Sequence, residues 1–329
     1  MNKAKLLTVI LVVLLVVTGG SVWYLFNNYD GAGYAHADRY QAGDTEITSA
    51  VENLDIDWIA GKVNIEYHAG SGVKVTETVS KTLSENEKLR WWLDGSTLRI
   101  RFIKSGINLG INLQKTLTVS LPEGAVLKDV KISSTSADLN IPALTADEIL
   151  FDTTSGDITA VTAAKKLTST STSGNMNLQQ DSDLDSVHLS STSGDIGITL
   201  AGATKIEADS TSGNLYVTAS GSVGNIRLHT TSGAVVPDLA DVDKADFSAT
   251  SGDITAKLLS FRDLKIDATS GDVTLKLPEA PGFTCRIDTK PSRFSSDLAL
   301  EKSGDTYTFG DGSARCFIDT TSGNIRITE

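Results

Sequence analysis

The sequence predicts an all-β fold, a single-stranded parallel β-solenoid with about 19 residues per coil. Three observations carry it: a triplet recurring at fixed spacing, alternation of apolar and polar residues on both sides of it, and a corner residue inside it. Thr-Ser-Gly recurs at Gly156, Gly174, Gly194, Gly213, Gly233, Gly252, Gly271 and Gly323, with Thr135-Ser136-Ala137 as a degenerate first copy. From Ala137 to Gly271 the successive spacings are 19, 18, 20, 19, 20, 19 and 19 residues, the mark of a repeat architecture.

Alternation gives each repeat its strands. Seven residues before the glycine stand Val130, Ile149, Leu167, Val187, Ile206, Ile226, Leu264 and Cys316, and five before stand Ile132, Phe151, Leu189, Leu228, Phe247, Ile266 and Ile318. Between them lie Lys131, Glu207, Arg227, Asp246 and Lys265. Period-two alternation of this kind is a strand with one buried face. Two residues after the glycine, Leu139, Ile158, Met176, Ile196, Leu215, Val235, Ile254, Val273 and Ile325 open a second strand whose inward parity is shifted. That shift needs a corner. Glycine supplies the permissive φ/ψ there, a positive φ being the expected reason, and the following Asp or Asn can bond the turn backbone. The eight glycines are therefore the predicted structural corners.

One such unit cannot bury its apolar face alone. Stacked units place like above like, about 4.8 Å apart, and close a continuous core. Right-handed winding is expected, because parallel crossovers favour it. A leucine-rich repeat would need a Leu/Asn signature and a helical return, and a propeller blade about twice the length.

Along the chain, residues 1–26 read as an N-terminal transmembrane anchor. Leu6 to Phe26 carries no formal charge and is long enough to span a bilayer as a helix. Lys3 and Lys5 before it, and Trp23 and Tyr24 near its end, place the N-terminus in the cytoplasm and the repeats outside. The expected location is thus a bacterial cytoplasmic membrane, crossed once. A cleaved signal peptide ending near Ala35-His36-Ala37 is the competing reading.

Residues 27–45 read as a linker, and 46–130 as an irregular opening of the solenoid. There Leu54, Ile56, Gly61, Val63 and Ile65 match a later coil, and segments at 72–79, 89–93, 97–102 and 113–121 have strand character. Residues 131–329 are the regular repeats, with an insertion near 292–314. Cys285 and Cys316 begin matching Cys-x-Ile-Asp-Thr segments, so both point into the core of consecutive coils, Leu264 preceding them. Neighbouring rungs are close enough for a disulfide; two buried thiols are the alternative.

A formal net charge of -12 and a pI near 4.8 argue against a nucleic-acid partner. The column after the glycine holds Asp138, Asp157, Asn175, Asp195, Asn214, Asp253, Asp272 and Asn324. It could recruit calcium, but corner capping is the simpler role and no dense acidic ligand loop accompanies it. The Thr column suits β pleats and corner bonds. Asp152, Asp209, Asp267, Asp288 and Asp319 share an outward column, where carboxylates at many repeats read as a solvated face rather than a glycosidase pair. His36, His68, His188 and His229 lack metal-ligand spacing. No catalytic residue, metal or cofactor is expected.

The chain resembles a large bacterial family of β-strand-repeat envelope proteins that carry the label "putative adhesin". The resemblance rests on Leu54-Asp55-Ile56-Asp57-Trp58 with Gly61-Lys62-Val63, on Leu121-Pro122-Glu123-Gly124, and on copies such as Thr154-Ser155-Gly156-Asp157-Ile158. It implies the strand-repeat architecture and an envelope role. The expected function is a non-enzymatic scaffold or adhesin-like protein, bound to the membrane through residues 6–26 and to an envelope glycan or protein. An accessory of an envelope-stress system and a glycan-cleaving β-helix enzyme are the alternatives.

Overall fold

The computed structural model describes residues 33–106, 113–279, 282–288 and 293–329. The expected anchor over residues 6–26 lies outside them. Among the described residues no helix is long and apolar enough to cross a membrane. Their apolar residues alternate with polar ones and never build the unbroken run of about 20 that a helical span needs. The described residues thus give no support to a helix-preceded fold or to a single-pass placement in the cytoplasmic membrane.

The described strands, in chain order, are β1 (Gln41–Ala42), β2 (Thr45–Ile47), β3 (Asn53–His68), β4 (Val73–Thr78), β5 (Arg90–Asp94), β6 (Thr97–Arg101) and β7 (Lys115–Pro122). The body follows: β8 (Leu127–Thr153), β9 (Ile158–Ser171), β10 (Met176–Gln180), β11 (Leu184–Ser191), β12 (Ile196–Leu200), β13 (Ala203–Ser210), β14 (Leu215–Thr230), β15 (Val235–Ser251), β16 (Ile254–Ser270) and β17 (Val273–Lys276). The last are β18 (Phe283–Ile287), β19 (Arg293–Ser296), β20 (Glu301–Ser303), β21 (Thr306–Phe309), β22 (Ala314–Ser322) and β23 (Asn324–Thr328). All are joined in one hydrogen-bonded sheet.

In the body each repeat contributes one rung to each of two parallel ladders. The ladder before the corner runs through Ile149, Leu167, Val187, Ile206, Ile226, Ala245 and Leu264, each paired with its equivalent one repeat away. The ladder after the corner runs through Ile158, Met176, Ile196, Leu215, Val235, Ile254 and Val273. Inward residues of both are buried and form one continuous apolar cluster from Ile47 to Ile327. Between the ladders a short third rung, with Val223 beside Val242, closes the coil after a register shift between Ala219 and Ser222.

The ends correct the picture of a purely parallel stack in which spatial order follows chain order. At the N-terminal end β3 lies inside the stack: its one side pairs in parallel with β8, its other with β6 and β7. Beyond them the pairing turns antiparallel, β5 on β6 and β1 on β5, β4 on β7 and β2 on β4. At the C-terminal end β22 and β23 insert between β16–β17 and β18–β19, and β21 then covers β18 antiparallel, with β20 beyond it. Unpaired backbone and an open apolar core at the ends of a stack invite aggregation, and antiparallel hairpins cover them.

Candidate functional site

The corners come first, because they hold the exposed faces in register. None of Gly156, Gly174, Gly194, Gly213, Gly233, Gly252, Gly271 or Gly323 has a positive φ. The expected reason for glycine is thus corrected. A Cβ on Gly213 would lie 2.0 Å from the carbonyl oxygen of Gly194, one rung away, and the other seven corner glycines meet the preceding corner equally closely. Close approach of stacked backbones is what excludes a side chain. Gly323 stands against Gly271, consistent with the inserted last coil.

A hydroxyl three residues before the glycine, unremarked in the sequence pattern, completes the corner. Ser210 Oγ accepts from Gly213 N–H at 2.8 Å, and Thr153, Ser171 and Ser191 do the same for Gly156, Gly174 and Gly194. These hydroxyls sit at inward, buried positions, so their parity was the available signal. The Asp/Asn column is a ladder of its own: Asp157 Oδ1 accepts from Asn175 N–H at 2.8 Å, Asn175 Oδ1 from Asp195 N–H at 3.0 Å, and Asp195 Oδ1 from Asn214 N–H at 2.8 Å. At the inserted coil Asn324 donates to Asp272, which holds that carboxyl below its ordinary range. Each column oxygen used this way bonds backbone.

The N-terminal end buries an ion pair. Lys115 Nζ lies 2.6 Å from Glu77 Oε2, with side-chain exposures of 0% and 6%. It also donates to the carbonyls of Glu87 and Phe102 and sits 4.3 Å from the centre of the Phe102 ring and 5.0 Å from that of Trp58. Trp58 Nε1 donates to the Lys115 carbonyl at 3.1 Å. Gly61, with φ at 106°, passes so close to that carbonyl that no side chain fits. Burial pushes the Lys115 amine below its ordinary range, against the pull of Glu77. The arrangement locks a cap and offers no opening to a substrate.

The outward Asp column does not converge. Asp152 accepts from Thr170, Asp267 pairs with Lys265, and Asp288 pairs with Arg286. Among the described residues no group of His, Cys, Asp and Glu is placed to hold a metal. His229 Nδ1 lies 2.8 Å from Ser248 Oγ, and burial lowers the imidazole below 6.5, with Arg227 acting in the same sense and Asp209 and Asp246 opposing. A lowered folded value means that the unfolded chain takes the proton first as pH falls. Stability should therefore be complete above 6.5 and decline as pH drops from there towards the folded value. His229→Gln should flatten that decline, and an NMR titration should place the imidazole midpoint below 6.5.

Cys285 and Cys316 are register partners on β18 and β22, both buried, with sulfurs 3.1 Å apart and unbonded. The stacking order is Leu264, Cys316, Cys285, so the coil carrying Cys316 is the inner one, in place of the chain order expected. Burial, followed by the neighbouring thiol, raises the Cys316 thiol well above its ordinary value. A mild oxidant should join the pair without shifting the rungs, read as loss of two hydrogens in intact mass.

A broad concavity with charged walls lies on the outer side of the ladder before the corner. It is an open groove of about 690 Å³ across β13, β14, β15, β16 and β22, over the small inward side chain of Ala245. Five cations line it, Lys205, Arg227, Lys244, Lys265 and Arg315, against the carboxylates Glu207, Asp246 and Asp263. Lys205 is tied to Glu207 at 2.8 Å, Arg315 to Asp263 at 2.7 Å, and Lys265 to Asp267. Arg227 and Lys244, both exposed, form no ion pair or side-chain hydrogen bond among the described residues. Half-buried Phe317 closes one end. The sequence shows all these residues as outward; their convergence needs the stack.

The chain is similar to several solved structures. A "putative adhesin" of Parabacteroides distasonis ATCC 8503 is 13% identical, covering 71% of this chain and 97% of its own, with a TM-score of 0.48. A "putative lipid binding protein" of the same organism is 17% identical, covering 74% and 98%, also with a TM-score of 0.48. A "putative adhesin" of Bacteroides fragilis NCTC 9343 is 13% identical, covering 88% and 96%, with a TM-score of 0.33. No curated protein matches the chain. The family model described as Toastrack DUF4097 matches residues 51–263 and 242–328, most of the chain, and the protein belongs to that family.

Proposed function

We propose that this chain is a non-enzymatic, adhesin-like interaction protein that binds a glycan on the outer face of the ladder before the corner. The observation that carries the reading is the groove over Ala245, where polar side chains stand in parallel columns on successive rungs. Catalysis needs groups converging on one reacting bond; columns of this kind suit an extended ligand lying along the stack. The outermost strands are short, β1 of 2 residues, β2 and β20 of 3 and β19 of 4, which leaves little edge to which a peptide could add.

The test is retention of soluble polysaccharides by the immobilised full chain, with the eluted polymer assayed for new reducing ends. Saturable retention of an intact glycan is expected. Release of reducing sugar, or no retention of any glycan, would sink the reading.

A further inference from the structure

The charges of the groove are spaced as well as signed. One outward column, Lys205–Asn225–Lys244–Asp263–Arg315, runs through five consecutive rungs and carries a cation on alternate ones. Its neighbour, Glu207–Arg227–Asp246–Lys265–Phe317, does so on the rungs between, and ends in the aromatic ring. Rungs are about 4.8 Å apart, so cations in either column recur at about 10 Å. The two that form no ion pair, Arg227 and Lys244, sit on adjacent rungs in the middle, two residues apart along the strand direction, where roughly 8 Å separates their attachment points.

A chain of net charge -12 that gathers five cations against three carboxylates in this groove, two of the cations outside any ion pair, is arranged to receive an anion there. We infer that the groove binds an acidic glycan lying along the stack with about one ring per rung. Its carboxylates would meet the cations that the two columns together place on every rung, Arg227 offering the planar fork that matches a carboxylate and Lys244 a point charge. Phe317 supplies an apolar platform for one sugar face. This assignment rests on the glycan-binding reading above and names its ligand class.

The experiment compares three probes on the full chain: hyaluronan oligosaccharides, which alternate uronate and N-acetylhexosamine, polygalacturonate, acidic at every unit, and neutral dextran. Hyaluronan and polygalacturonate should both bind, weakening as salt rises, and exceed dextran. The double reversal Arg227→Glu with Lys244→Glu should lose at least about tenfold in affinity, a change of about 1.4 kcal/mol. Lys257→Glu, on the ladder after the corner, should bind as the parent does. Unchanged melting of the double variant checks that its fold is intact, both positions being exposed. Dextran held equally, or a double variant within twofold of the parent, would overturn the acidic assignment and leave glycan binding standing. Retention of none of the three would overturn it as well, and the broader polysaccharide screen would then decide the parent reading separately.

Discussion

Replacing Lys115 by methionine is expected to cost about 3–5 kcal/mol, because it leaves the carboxylate of Glu77 buried without its cation. The methionine fills much of the lysine volume, so lost packing contributes little. What is lost is the charge 2.6 Å from Glu77 and the donor to the carbonyls of Glu87 and Phe102. Glu77 Oε1 also accepts from Leu89 N–H at 2.8 Å, so the carboxylate cannot turn away to water without orphaning that amide. Amide hydrogen exchange should rise most over β6 and β7, the rungs that Lys115 ties together. A second variant isolates the cause: with Glu77→Gln added, the charge is gone while the acceptor for Leu89 remains, and much of the loss should be recovered. Simple additivity of the two substitutions would show that the unpaired carboxylate is not the source.

Gly213→Val is expected to destabilise by about 3 kcal/mol or more, since even its Cβ would sit 2.0 Å from the Gly194 carbonyl oxygen and no rotamer relieves a backbone collision. The surrounding corner must open, and with it the Asp195 to Asn214 rung of the side-chain ladder. Glu207→Gln, at the surface, should stay within about 0.5 kcal/mol. Asparagine separates the two accounts of the glycine, because it tolerates the left-handed region better than other side chains. A corner needing positive φ would accept Gly213→Asn; a corner defined by close approach rejects it as it rejects alanine. Melting temperatures of the Ala, Asn and Val variants should all fall well below that of Glu207→Gln, and a parent-like Asn variant would refute the close-approach account.

Much of the body follows from local pattern. Period-two parity places Val187, Ile206 and Ile226 inside and His188, Glu207 and Arg227 outside, and an equal repeat length puts each set in one column. The corner could be located from Thr-Ser-Gly, but its chemistry could not: the collision that demands glycine involves a carbonyl one repeat away. Lys115 was within reach as well. It occupies the inward parity of Leu113-x-Lys115-x-Leu117-x-Val119, an anomaly whose partner on β4 only the fold supplies.

By itself, then, the sequence determined the rung, its two faces and its register, because these depend on residues within one repeat and on the step to an identical repeat. Tertiary structure alone decided the order of rungs at the ends. Equivalent coils present interchangeable inward residues, so Leu264 pairs as readily with Cys316 as with Cys285, and no local preference selects between them. The choice falls to non-local covering of the exposed ends, where β21 lies over Phe283 and Cys285, stacking Phe309 on Phe283, and β3 is enclosed between β8 and the β6–β7 rung. The groove has the same origin: Arg227 and Lys244 are ordinary outward residues until the stack sets them side by side over Ala245 with their neighbours' counter-ions already engaged.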